Sequence, residues 1–362
     1  MTGGGMYPAL AVLQALGNRV SDLLWVGSQS GMEERLLEKH QIPFEAIPSA
    51  GVHGVDISQL PKNLLLLRNG YYAARRIISK FQPEIIFSTG GYISVPVMSA
   101  GRKIPSVIFI PDIAPGLALK TIMPFASKIC LSTEKSLRFS RSKQNNIICG
   151  YPLRKDIKNW SRKTSRDHFN IPQSAKVLLV FGGSKGARSI NQNLLNIVNK
   201  LLPTMHILHI SGSDNYEEIH NQSQKIIVKN YDNYHLFPFL HDDMGAAFCC
   251  ADLIICRAGA SILGELPYFG VPAILVPYPH AWKYQEQNAS FLVNAGAAIL
   301  VKDEDMPALL LEKIHKLMDK ENLRIEMGDK MQTLSIPNAA ERIADVIVHT
   351  HRELNKGKED KW

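Results

Sequence analysis

Cysteine is scarce in this chain. Five are spread over 362 residues (Cys130, Cys149, Cys249, Cys250 and Cys256), with no C-x-x-C pair and no grouping with histidine at metal-ligand spacing. That excludes a disulfide-stapled scaffold and a zinc module, and leaves buried thiols in a reducing compartment. No apolar run reaches the roughly 20 residues that a membrane-spanning helix needs. No basic segment followed by an apolar one opens the sequence as a secretory signal would. There is no solenoid-period repeat and no low-complexity tract. The net charge of +8 suits an anionic surface or a phosphorylated substrate. With no recognised nucleic-acid motif, nucleic acid is not expected as a partner.

What is present is an ordinary globular composition, 45% hydrophobic and 20% charged. The length exceeds what one core usually serves, so two domains are expected. Short apolar runs alternate with helical patterns. In the first half they are "LLWVG", "EIIFSTGG", "SVIFIPD" and "KICLS"; in the second, "KVLLVFGGS", "MHILHISG", "DLIICRAG" and "PAILVPYP". Several end in Gly or Ser and run into a helix, the punctuation of a parallel sheet buried on both faces. The fold class predicted is therefore α/β, with two doubly wound, Rossmann-like domains facing each other across a cleft. The boundary falls near residues 151–154, ahead of the polar segment 155–176. The domains read as 1–152 and 153–337, and a last helix over 338–354 is expected to return to the first.

Two stretches carry chemistry. In "VFGGSKGARSIN" a strand ends in Gly182-Gly183, Ser184 offers a hydroxyl, and a helix follows. Backbone N–H groups and a helix N-terminus suit a diphosphate there. The spacing is neither that of a Walker loop nor that of a dinucleotide fingerprint, and an ordinary tight turn would look the same. In "CRAGASILGELPYFGVPAILVPYPHAWKYQEQNA" the Ala258-Gly259-Ala260 turn joins a strand to a helix. Glu265 then sits where a carboxylate can accept both hydroxyls of a ribose. "PYPH" brings His280 to the same rim, and Gln285 and Asn288 start the next helix. Ligands in open α/β sheets bind beyond the carboxyl ends of the strands, so one pocket can use all of these.

A third stretch, "NLLLLRNGYYAARRIISK" over residues 63–80, joins leucines and two tyrosines to Arg68, Arg75, Arg76 and Lys80. As a helix it reads either as a surface for anionic lipid or as a core helix with a solvated basic face.

The set of motifs resembles the MurG family, glycosyltransferase family 28, the UDP-N-acetylglucosamine transferases of peptidoglycan synthesis. The similarity runs from residue 2 to about residue 346 through "TGGGMYPALAV", "STGGY", "APGLA", "GYPLR", "GGSKGARSIN", "HDDMGAAF", "RAGASILGE" and "PYPHAWKYQEQNA". The resemblance implies a GT-B fold and inverting transfer of N-acetylglucosamine from UDP-N-acetylglucosamine to undecaprenyl-diphospho-N-acetylmuramoyl-pentapeptide (lipid I), giving lipid II. It implies a peripheral protein on the cytoplasmic face of the bacterial membrane, with an undecaprenyl-linked acceptor and an anionic membrane surface as partners. Neither a cofactor nor a metal is called for. Thr2, Gly3 and Gly4 match a glycine loop beside donor sugar and acceptor diphosphate. Arg154 matches an arginine on the donor, and Ser184 the serine at the diphosphate. His241 falls where backbone meets uracil, with Leu240 the alternative match. Ala260, Ser261, Ile262, Leu263, Gly264 and Glu265 match the helix entry at phosphate and ribose, Glu265 on the ribose. Gln285 matches a glutamine near the sugar, and Tyr92 the aromatic of a second glycine loop on the acceptor side.

The chain also departs from the family. Gly5 stands where the family's T-G-G-H has histidine, the favoured base. The H-E-Q-N stretch reads Phe109-Ile110-Pro111-Asp112, Tyr151 replaces the Asn of G-N-P, and Lys185 the Gln of G-G-S-Q-G-A-R. Asp112 is then the expected substitute base, against a reading in which it caps the helix after Pro115 or binds a neighbouring lysine. His280 is the rival. The altered acceptor half keeps other readings open: another GT-B glycolipid transferase, a UDP-sugar epimerase, or an inactive relative that binds nucleotide sugar or lipid. The family's chain also has a strand of about ten residues before the first loop. Here only Met1 precedes Thr2, so that strand is expected to be missing from the first sheet, through a late start codon or a shortened sequence.

Overall fold

The computed structural model describes residues 3–28, 37–38, 41–51, 55–140, 145–183, 186–281 and 283–359. It separates into two compact units, one of Met1–Arg154 with Asn338–Trp362 and one of Lys155–Pro337.

The first unit starts with helix α1 (Gly3–Leu16), which takes the three glycines into its own first turn instead of leaving them as a turn ahead of it. Strands β1 (Trp25–Ser28) and β2 (Phe44–Ile47) pair in parallel, Trp25 opposite Phe44. Helix α2 (Leu60–Phe81) follows, with Pro61 in its first turn, where a missing N–H leaves no bond unmade. Then come β3 (Ile86–Ser88), α3 (Ser94–Ala100), β4 (Ser106–Ile110), α4 (Leu117–Ile122), β5 (Lys128–Leu131) and β6 (Asn146–Ile148). The last four strands form one parallel sheet in the order β3-β4-β5-β6. The doubly wound sheet expected here is therefore divided: among the described residues, β1 and β2 hydrogen-bond to each other and not to the other four strands. β4 is buried along its whole length, and its Ile108 and Ile110 pack with Met98, Ile122 and Leu131 as the centre of a core.

The second unit begins with α5 (Arg162–His168), opened by a capping box between Ser161 and Thr164. It continues through β7 (Val177–Phe181), α6 (Arg188–Leu201), β8 (His206–Ile210), α7 (Tyr216–Ile226), β9 (Tyr234–Phe237), α8 (Met244–Cys250) and β10 (Leu253–Cys256). It ends with α9 (Ile262–Phe269), β11 (Ala273–Leu275), α10 (Tyr284–Asn294), β12 (Ala298–Leu300), α11 (Met306–Met318) and α12 (Glu321–Thr333). Six parallel strands lie in the order β12-β11-β10-β7-β8-β9. The central strands β7 and β10 are apolar on both faces because helices cover both; Leu178, Val180, Ile207 and Ile255 meet Leu194, Val198, Leu310 and Ile314 in the core. At the opposite end of this sheet from the strand tips, fully buried Arg166 pairs with Asp252, which also accepts from the Val177 N–H.

Helix α13 (Ala339–Glu359) closes the chain in the first unit. It packs on α1 and is pinned by Arg19–Asp345 at 2.6 Å and Glu84–His351 at 3.1 Å.

Candidate functional site

In the second unit the chain lays β7, then β8 and β9 on one side, and returns to place β10 against the other side of β7. The strand order reverses between β7 and β10. In an open α/β sheet this is where neighbouring loops diverge and leave a crevice beyond the carboxyl ends.

The β7 side of the crevice is the turn after Phe181. Gly186 has φ +79° and its N–H bonds the Gly183 carbonyl at 2.9 Å. A Cβ on Gly186 would lie 2.0 Å from the carbonyl oxygen of Ser211, so only glycine fits. Ser184, expected at a diphosphate, lies with Lys185 outside the described residues, and so does Thr2.

The β10 side is built more fully. Asn288 of α10 is buried and donates from Nδ2 to the Ala258 carbonyl at 3.1 Å. Gly259 and Ala260 then accept from the N–H groups of Ile262 and Leu263, which starts α9 at once. Within the stretch 260–265, Ala260, Ile262, Leu263 and Gly264 are buried, while Ser261 and Glu265 are half-exposed. The apolar members thus belong to the core and offer backbone only. Glu265 stands beside the end of β10, where burial first and the Glu265 charge second push the Cys256 thiol well above its usual range.

Arg257, between these two features, was not singled out from the sequence. Its guanidinium donates to the carbonyls of Val276 (3.2 Å) and Pro277 (3.3 Å), to Asp303 and to Ser189 Oγ (2.7 Å). It also lies 5.4 Å from the centre of the Tyr278 ring. One planar fork thus ties the ends of β10 and β11, the segment after β12, and the first turn of α6. The Asp303-Glu304-Asp305 run has D-x-D spacing, and its first carboxylate is engaged by Arg257 and by Ser189 at 2.9 Å.

Gln285 was expected near a sugar. Its Oε1 accepts from the Tyr278 N–H at 2.8 Å, so its carbonyl half holds the rim loop. His280 is exposed on that loop, its ring edge-on to Tyr278 at 5.4 Å. His241 is exposed after β9, against Phe239 at 4.6 Å and two strands away from β7, whereas neighbouring Leu240 is buried.

The remaining predicted residues lie in the first unit. Gly3 and Gly4 are helical, and the Gly5 carbonyl accepts from buried Thr89 Oγ1 at 2.8 Å, which joins the start of α1 to the loop after β3. Tyr92, on that loop, is exposed. A Cβ on Gly51 would lie 2.6 Å from its ring, so ring and backbone are in close contact. Asp112 is half-buried just after β4, and its carbonyl accepts from Ser136 Oγ at 3.4 Å. The N-cap position of α4 is Gly116, four residues further on. The Arg154 guanidinium lies 4.8 Å over the Tyr7 ring of α1. Gly5, Tyr92 and Asp112 thus share the carboxyl edge of the four-stranded sheet; His280, Gln285 and the 260–265 turn share that of the six-stranded one.

Comparison with known proteins adds a lineage. The model of the glycosyltransferase family 28 N-terminal domain matches residues 2–131, and that of the family 28 C-terminal domain residues 177–343. The chain is 35% identical over 404 residues to the UDP-N-acetylglucosamine--N-acetylmuramyl-(pentapeptide) pyrophosphoryl-undecaprenol N-acetylglucosamine transferase of Roseiflexus sp. (strain RS-1), covering 95% of this chain and 92% of that one. It is 35% identical over 357 residues to the protein of the same name from Desulforamulus reducens, covering 96% and 95%. Among solved structures it resembles Acinetobacter baumannii MurG, with TM-score 0.74, 26% identity and 96% of each chain covered. The UDP-GlcNAc 2-epimerase of Neisseria meningitidis, bound to UDP-GlcNAc, shares the fold at TM-score 0.65 and 16% identity over 96% of each chain.

Proposed function

Because the chain belongs to glycosyltransferase family 28, and within it to the MurG transferases, we propose how its own residues move N-acetylglucosamine. The reaction takes the sugar from UDP-N-acetylglucosamine to lipid I and gives lipid II and UDP. The second unit holds the donor and the first unit faces the lipid acceptor.

The observation that carries this reading is the β7–β10 switch point, with a glycine turn on one side and the anchored 258–265 helix entry on the other. Backbone N–H groups of the turn after β7, the Ser184 hydroxyl and the start of α9 hold the diphosphate and stabilise the charge that grows on it as the sugar leaves. Glu265 accepts from the ribose hydroxyls. The nitrogen half of Gln285 points the sugar, since its oxygen is committed to Tyr278. The acceptor hydroxyl oxygen attacks the anomeric carbon from the face opposite the diphosphate. The C–O bond to the β-phosphate breaks with inversion, and the hydroxyl proton passes to a base.

Gly5 cannot be that base. Asp112 takes the role: it is a half-buried carboxylate two residues beyond the end of β4, on the carboxyl edge of the four-stranded sheet. Asp112→Asn should then lower the transfer rate about 10²–10⁴-fold at saturating substrates. A rate within a few-fold of wild type moves the role to His280.

The protein works at the cytoplasmic membrane surface through α2. This helix turns Leu64 (58% exposed), Leu65 (54%) and Tyr72 (49%) outward together with Arg68, Arg75 and Arg76. Apolar groups enter the acyl boundary while the guanidinium groups meet anionic headgroups. No helix among the described residues is long and apolar enough to cross a membrane.

The deciding experiment is incubation with UDP-N-acetylglucosamine and lipid I in mixed micelles, following lipid II and UDP. UDP binding without lipid II would mark a nucleotide-sugar-binding relative that has lost transfer, which the glycine at position 5 would explain.

A further inference from the structure

A buried polar chain runs under the β7 turn. His209 in β8, Asn191 in α6 and Ser211 are fully buried, and Tyr234 in β9 nearly so. Tyr234 Oη is 2.7 Å from His209 Nδ1, and His209 Nε2 is 3.0 Å from Asn191 Oδ1. Asn191 Nδ2 donates to the Ser211 carbonyl at 2.9 Å. That carbonyl is the one against which Gly186 packs too closely for any side chain.

The direction of every bond follows from the last one. A backbone carbonyl only accepts, so Asn191 must present its NH₂ to Ser211 and its oxygen to His209. An amide oxygen only accepts, so His209 Nε2 carries the proton. Nδ1 is then bare, and Tyr234 donates to it. The four groups form a one-way relay of donors, Tyr234 to His209 to Asn191 to Ser211, aimed at the turn after β7. Burial holds the imidazole neutral, with its pKa lowered to about 3, which keeps this arrangement intact across the working pH range.

We propose that His209 is a positioning residue for the donor diphosphate: as the neutral Nε2–H tautomer it orients Asn191, which fixes the Ser211 carbonyl as the floor of the Gly186 turn. This rests on the reading of that turn as the diphosphate site. His209 touches no substrate; it acts through the backbone that does.

The test is UDP affinity by calorimetry, at a temperature well below the melting point of each variant. His209→Leu should weaken UDP binding about tenfold, the scale of a lost buried hydrogen bond. His209→Gln offers an N–H to Asn191 and an oxygen to Tyr234, and should bring affinity back to within about threefold. Should His209→Leu fail to fold, Tyr234→Phe is the substitute, with a smaller loss expected. In the wild-type protein, ¹⁵N shifts of the imidazole at neutral pH should show Nε2 protonated and Nδ1 bare; the other tautomer or an imidazolium overturns the proposal. Wild-type UDP binding with unchanged affinity in both His209→Leu and Tyr234→Phe also overturns it and leaves the donor site standing. A wild-type protein with no UDP affinity removes the donor site and this proposal together.

Discussion

Asn288 and Ala258 are joined across 30 positions of sequence by one buried hydrogen bond, side-chain Nδ2 to backbone carbonyl, 3.1 Å long. The bond fixes the chain one residue before Gly259, where β10 gives way to α9. Asn288→Ala strands the Ala258 carbonyl away from water. It should cost about 1–3 kcal/mol of stability, because a buried acceptor loses its partner. Denaturant unfolding measures this, and UDP calorimetry on the same protein should show weaker binding as the turn loosens. Unchanged stability would mean that the carbonyl finds another donor.

Glu265 tests donor recognition directly. Glu265→Ala removes a charged acceptor for ribose hydroxyls and should cost about 1.5–3 kcal/mol of UDP binding. If the residue only complements the dipole of α9, the effect stays in stability and below about 1 kcal/mol. Calorimetry with UDP separates the two, and an unaltered affinity defeats the ribose assignment.

The membrane contact proposed for α2 is tested on its outer face. Arg75→Glu combined with Arg76→Glu reverses two exposed charges, each worth about 1 kcal/mol near an anionic surface. Flotation with phosphatidylglycerol vesicles at low salt should fall steeply for the double variant and, for the wild type, should fall as salt is raised. Equal flotation of both proteins would make α2 a plain surface helix.

Acid should weaken the second unit before it touches the first. Burial lowers His209 to about 3 and, helped by the neighbouring His206, lowers His235 to about 4, against an ordinary value of 6.5. These groups are neutral when folded and take up protons when unfolded. Their contribution is complete above pH 6.5 and is lost as pH falls from there toward 3, at about 1.4 kcal/mol per pH unit for His209. Unfolding curves at pH 7 and pH 5 should show the loss, and His209→Gln should flatten it. A slope no smaller in His209→Gln assigns the acid sensitivity elsewhere.

Every central strand was legible in the sequence, whereas of the edge strands only β1 and β3 were. β4, β7 and β10 have neighbours on both sides and helices over both faces, so they read as apolar runs. The unanticipated strands β2, β6, β9 and β12 all lie at sheet edges. Phe44–Ile47 is half exposed and Asn146–Ile148 only partly buried, so neither shows a clear period. The site divides similarly. The glycine turns and the helix entry at 260–265 were legible as structure because turns and helix starts demand particular residue types. Arg257 and His209 were not, because a polar residue in or next to a buried strand looks like an interruption until its partners from distant segments are seen.

The chain leaves its first unit after Arg154 and re-enters it only at Asn338. During synthesis the second unit therefore emerges whole while the first still lacks α13. The face of α1 that α13 covers stays open until the last helix leaves the ribosome, some seconds later at about 5–20 residues per second. Until then the second unit has all of its own elements and the first does not. The continuous segment Lys155–Pro337 is the piece to express alone, whereas the first unit, made of two separated stretches, needs a new covalent join to exist by itself.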